Sequence, residues 1–163
     1  MRELRRKSES VWGIKMSDHI VKIIPKDVNT LIDKALVPNL LDYIRNHAVA
    51  EAVDYAEYGA VTFIDCGSNL ETIHCPNCGK VIDFGWWGEA MDTAGENAFA
   101  DLHVVLPCCG SQSSLDNLEY YFPCGFAKEQ IAVRNPQIEM DEKYRCEIEK
   151  IAGAELKVIE GHY

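Results

Sequence analysis

Long hydrophobic runs are missing from these 163 residues, and none approaches the roughly 20 apolar residues needed to cross a bilayer. The N-terminus is charged but has no apolar h-region, so no secretory signal is visible. There is no glycine-rich phosphate loop and no HExxH pair, and no other catalytic motif stands in their place. Basic charge is scarce: 16 Lys and Arg against 26 Asp and Glu leave a formal charge of −10. An acidic surface repels phosphate backbones and so disfavours nucleic-acid binding. It suits a basic protein partner, or nothing beyond solubility. These absences give the expectation of a cytoplasmic protein that engages neither membrane nor nucleic acid.

What remains is an ordinary globular composition, 47% apolar and 26% charged, in a chain long enough for one domain with a small insert. A chain of this size buries roughly two thirds of its unfolded surface, so a core can form without staples. Against that background seven cysteines are conspicuous. In a reducing compartment, clustered cysteines point to metal ligands before disulfides.

Residues 1–15 (MRELRRKSESVWGIK) are basic and unlike the acidic remainder, and are expected to be a disordered arm ahead of a single domain spanning 16–163. Ile20 to Ile24 is a β-branched run ended by Pro25 and predicts a strand. Val28, Leu31, Ile32, Ala35 and Leu36 recur at helical spacing, and Leu40, Leu41 and Ile44 continue the stripe; Pro38 should kink or split that helix. Ala48 to Cys66 predicts two strands, or one strand bulged at Gly59. Further strands are expected over 80–84, 102–106, 118–122 and 126–133, with a short helix over 89–102. Met140, Tyr144, Ile148 and Ile151 predict a helix stopped at Gly153, and Leu156 to Glu160 a last strand.

The outer parts therefore run strand, helix, strand and then strand, helix, strand. That is the element order of an α+β, split βαβ (ferredoxin-like) sheet, with residues 66–125 as an inserted lobe.

The lobe carries the chemistry. Cys75-Pro76-Asn77-Cys78-Gly79 places two cysteines two residues apart around a tight turn, which aims both thiolates at one ion. Pro76 fixes φ inside the turn, and Gly79 takes the positive φ that follows it. The partner stretch, Leu106-Pro107-Cys108-Cys109-Gly110, departs from this pattern, because leucine holds the first ligand position and the two cysteines are adjacent. Adjacent cysteines are expected to share an ion only with a strained backbone. Cys75, Cys78 and Cys109 are three candidate ligands. Cys108 is the first choice for the fourth, with Cys66, Cys124, His74 and His103 as substitutes.

Over about residues 73–110 the chain resembles zinc-ribbon and rubredoxin-type knuckles. The resemblance implies a structural metal, zinc or alternatively iron, joining two hairpins that bury too little surface alone.

Trp86-Trp87 suggests a binding patch, or one ring packed over the zinc lobe with the other partly exposed. Cys124 could act as a nucleophile only if a histidine such as His103 or His162 met it in space. Cys146 lies off the apolar helix face and is expected to be incidental. The leading reading is a small zinc-binding adaptor or immunity-type protein. Two alternatives compete with it. One is a zinc-dependent hydrolase with an open three-cysteine site and Glu89 or Asp101 as base; the other is a Cys-x-x-Cys redox protein.

Overall fold

Ile20, Val21, Ile23 and Ile24 suit a pleated surface, and this stretch is extended as β1 (His19–Pro25). The computed structural model describes residues 18–163, and the expected arm, residues 1–15, lies outside them. There follow α1 (Val37–His47), β2 (Ala52–Ile64), β3 (Thr72–His74), α2 (Phe84–Gly95), β4 (His103–Val105) and β5 (Gln112–Ser114). A short 3-10 turn (Leu115–Asn117) leads to β6 (Glu119–Tyr121), β7 (Gly125–Arg134), α3 (Glu142–Ala152) and β8 (Leu156–His162). The architecture is mixed α and β, with antiparallel pairing in every sheet.

The main sheet has the order β2-β7-β1-β8. Since β7 is antiparallel to both β1 and β2, those two run parallel to each other, linked by α1 with β7 between them. In the same way β7 and β8 are parallel, linked by α3 with β1 between them. Alternate strand residues face opposite sides. On one side Val21, Ile23, Val53, Ile131, Val133 and Leu156 bury against Val37, Leu40, Ile44, Tyr144, Ile148 and Ala152 of the two helices. Each such aliphatic side chain contributes about 1.5–3 kcal/mol when fully withdrawn from water. On the other side Ile24, Ile64, Phe126 and Ile159 meet Ile73, Ile82, Leu106, Leu115, Leu118 and Tyr120. The segment 66–124 thus shares a core with the back of the sheet.

Three helical or strand expectations need correction. The apolar stripe from Val28 to Ile44 is not one kinked helix: α1 begins at Val37, with Pro38 in its first turn. Proline is tolerated there because that N–H has no helical partner. Upstream, the Ile32 N–H goes to the Glu129 carboxylate at 2.6 Å, so a helix cannot run through that point. Residues 80–84 are not a strand, since Val81 makes only an isolated bridge to His74. The following helix also starts earlier than expected, at Phe84 rather than at position 89. Asp83 accepts the Trp86 N–H at 3.1 Å and caps it, which draws the Gly-Trp-Trp-Gly stretch into its first turns.

β2 is a single bulged strand. Glu57 pairs with Glu129 and Thr62 with Ala127, so Tyr58 to Val61 stand opposite Lys128 alone. Beyond the bulge the ladder resumes and ends at Ile64 opposite Gly125, where the chain leaves and re-enters the sheet around the cysteine-rich segment.

Candidate metal centre

Each half of the centre is built on a tight turn closed by the same two backbone bonds. In the first, the Gly79 N–H donates to the Cys75 carbonyl at 3.0 Å, and the Cys75 N–H to the Lys80 carbonyl at 2.9 Å. The Asn77 and Cys78 N–H groups both point at the Cys75 sulfur, each at 3.3 Å. Gly79 sits at φ +78°, a conformation open to glycine at little cost.

The second turn repeats this closure around different side chains. The Gly110 N–H donates to the Leu106 carbonyl at 2.9 Å, the Leu106 N–H to the Ser111 carbonyl at 2.8 Å, and Gly110 sits at φ +73°. Leu106 therefore occupies the place of Cys75, Cys108 that of Asn77, and Cys109 that of Cys78. Leu106 is 1% exposed and anchors the turn in the core instead of supplying a ligand. The adjacent cysteines do not need the strained backbone expected of them. Neither has a positive φ, and the turn keeps its regular bonds. The two sulfurs come from the third and fourth positions of one turn and meet the first and fourth of the other.

The four Sγ atoms of Cys75, Cys78, Cys108 and Cys109 lie within 4.8 Å of one another. Cys75 and Cys109 are 3.7 Å apart, and Cys78 and Cys108 3.4 Å. A tetrahedral ion with metal–sulfur bonds near 2.3 Å needs sulfurs about 3.8 Å apart. The donor set and its spacing fit such an ion. Asn77, which sequence reasoning passed over, ties the halves together: its amide donates to Ser111 Oγ at 2.8 Å and approaches Cys109 Sγ at 3.5 Å. Its place inside the Cys-Pro-Asn-Cys-Gly turn was the signal available.

The thiols differ in acidity. Burial pushes Cys75 up, but the N–H groups of Cys78 and Asn77 outweigh it and hold the thiol below its ordinary value. Burial, followed by contact with the neighbouring thiols, pushes Cys108 up to about 12. Hydrogen bonds with the Ser111 side chain and then the Asn77 amide bring Cys109 down to about 6. In metal-free protein at pH 7, iodoacetamide is expected to modify Cys109 at least about tenfold faster than Cys108, because the thiolate is the nucleophile. Peptide mapping after brief labelling checks this; equal rates would contradict it.

The remaining candidates lie elsewhere. His74 has Nδ1 against the Gly79 carbonyl at 3.1 Å and Nε2 against Thr72 Oγ1 at 3.1 Å, outside the four-sulfur cluster. His103 meets Gln112 at 3.3 Å. Cys66 and Cys124 meet each other, with sulfurs 3.2 Å apart. No histidine is among the contacts of Cys124 given by the structure, so no Cys–His pair forms there. Cys146 is exposed on α3. Cys75 and Cys78 do not sit at the start of a helix, since α2 begins only at Phe84. Glu89 and Asp101 are exposed, and Asp101 caps the His103 N–H at 3.0 Å. Trp86 and Trp87 both pack on the back of the sheet; Trp87 stands edge-on to Phe63 and donates Nε1–H to the Tyr120 hydroxyl at 3.1 Å.

No helix among the described residues is long and apolar enough to cross a membrane. Comparison with family models, with curated proteins and with solved structures returned no match.

Proposed function

We propose that Cys75, Cys78, Cys108 and Cys109 hold one structural metal ion, zinc before iron, in a closed tetrathiolate site, and that the protein acts as a binding module. The observation that carries this is the fourth thiol: Cys108 stands with the other three inside 4.8 Å. Four sulfur ligands fill a tetrahedron and leave no position for water, which argues against the open-site hydrolase. Both cysteine turns open from short strands, the second between β4 and β5, in keeping with a zinc-ribbon-like lobe. The order β2-β7-β1-β8, with α1 and α3 as the crossovers, is in keeping with a split βαβ, ferredoxin-like sheet carrying that lobe as an insert.

The metal would organise a surface and take no part in turnover. Val81 and Tyr121 flank His74 beside the first turn and are 61% and 51% exposed. Exposed apolar groups on a chain of charge −10 suit a protein partner that is itself basic, as an adaptor or immunity-type protein of the cytoplasm would meet.

Replacement of the fourth ligand discriminates between the readings. Cys108→Ser is expected to weaken zinc binding at least about 100-fold in competition with a chromophoric chelator. Unchanged affinity would favour three ligands and an open site. Failure to retain any basic protein at low salt would remove the binding half of the proposal.

A further inference from the structure

The cysteine-rich segment is joined to the sheet at a neck, and the neck carries its own pair of thiols. The β2–β7 ladder ends at Ile64 opposite Gly125. Just beyond it, Cys66 and Cys124 face each other across the two strands, 58 positions apart in sequence, with sulfurs at 3.2 Å. They are 0% and 1% exposed. Among the described residues no third histidine, cysteine or carboxylate joins them, so they do not make a second metal cluster. Nearby Asp65 is engaged by the Lys22 ammonium at 2.9 Å and by the Gly67 N–H at 2.8 Å.

We propose that Cys66 and Cys124 are a redox site, a dithiol that closes to a disulfide across the neck when a small-molecule disulfide such as oxidised glutathione is present. The fold supplies what closure requires. The strand ladder fixes the two backbones, Lys157 Nζ donates to the Cys124 carbonyl, and both thiols already lie against the Phe122 carbonyl at 3.6 and 3.7 Å. In the first step one neck cysteine, as thiolate, attacks the reagent's S–S bond, forms a mixed disulfide and releases one glutathione thiol. The other neck cysteine then attacks the protein-side sulfur and releases the second. The protein loses two electrons and two protons, and the reagent becomes two thiols.

Burial sets the rate. It pushes the Cys124 thiol up to about 12, so the thiolate is scarce while the neck is shut. Closure is therefore slow in the folded chain and fast while the neck is forming. Once made, the bond is shielded from reduction by the same burial. It would staple the base of the segment independently of the four-thiol centre.

The test uses the full zinc-supplemented chain in glutathione buffers of rising oxidised-to-reduced ratio. One arm incubates folded protein and the other refolds it in the same buffer, so burial cannot hide the pair from the oxidant. After acid quench, denaturation and alkylation, peptide mapping is expected to find Cys66 joined to Cys124. Exposed Cys146 should carry at most glutathione. The oxidised form should melt roughly 5–15 °C higher than the reduced form, and Cys66→Ala should lose that rise. The proposal is overturned if both neck cysteines are alkylated in both arms while Cys146 is glutathionylated, or if either pairs with another cysteine. The metal reading fails separately, through zinc content, which disulfide closure leaves unchanged.

Discussion

Chelating the metal is expected to abolish amide protection in the β4–β5 hairpin and both cysteine turns, while β1, β7 and β8 keep theirs. The hairpin has three residue pairs, and its outer residues His103, Val105 and Gln112 are exposed. A two-stranded ribbon of that size is not stable in water by itself. Its anchors are Leu106 and Leu115, which reach the shared core, and the Asn77–Ser111 bond to the other turn. Without a metal, four sulfurs drawn this close must share protons or repel as thiolates. The sheet, by contrast, has its own helical core on the opposite face. Hydrogen exchange with and without chelator should show at least about 100-fold faster exchange at the Leu106 and Gly110 amides, a local loss of about 3 kcal/mol. Protection unchanged in that hairpin would mean that the apolar anchors suffice and the metal is dispensable.

The second large effect belongs to the sheet. Glu129 lies at the middle of β7 and is 1% exposed, with its two carboxylate oxygens accepting the Ile32 N–H at 2.6 Å and the Tyr55 hydroxyl at 2.7 Å. This one side chain ties the segment before α1 to β7 and, through Tyr55, to β2. Glu129→Ala removes both acceptors and leaves one buried and one half-buried donor unpaired, which should cost about 2–4 kcal/mol. For a chain of this length that lowers the melting midpoint by roughly 5–15 °C. Glu129→Gln keeps one acceptor oxygen and should cost less. Tyr55→Phe should lose little in the Glu129→Ala background, since its partner is already gone. Urea unfolding of the four proteins measures this cycle; a loss under about 0.5 kcal/mol for Glu129→Ala would contradict the role given to it.

Where local pattern decides structure, the sequence was legible. The β-branched run at Ile20–Ile24, the alternation at Leu156–Glu160 and the helical stripe ending at Gly153 became β1, β8 and α3. The largest failure has a long-range cause. The stripe from Val28 to Ile44 reads as one helix because nothing local reveals Glu129, a partner 97 positions away from Ile32. Val28 packs on the back of the sheet and Ile32 on the front, so the stripe never shared one face. Over 80–84 Val81 finds only an isolated bridge to His74, and the helix expected from position 89 starts at Phe84 because Asp83 caps the Trp86 amide, a local choice hidden by two flanking glycines.

The metal centre was half legible. Cysteine, proline and glycine spacing announced both turns. The ligand role proposed for Cys108 depends on how the two turns face each other, with Leu106 buried in the core in place of a first cysteine. The meeting of Cys66 and Cys124 had no motif at all, since it follows from the register of β2 on β7.

The most direct test of the central claim is elemental analysis of protein purified without added metal, combined with thiol titration before and after chelation. The four-sulfur site predicts one zinc per chain and native labelling confined to exposed Cys146. Chelation should then release Cys75, Cys78, Cys108 and Cys109 together, with Cys66 and Cys124 reacting only on denaturation. Folded, freshly reduced protein that holds no metal and whose cluster thiols react at once would contradict the account.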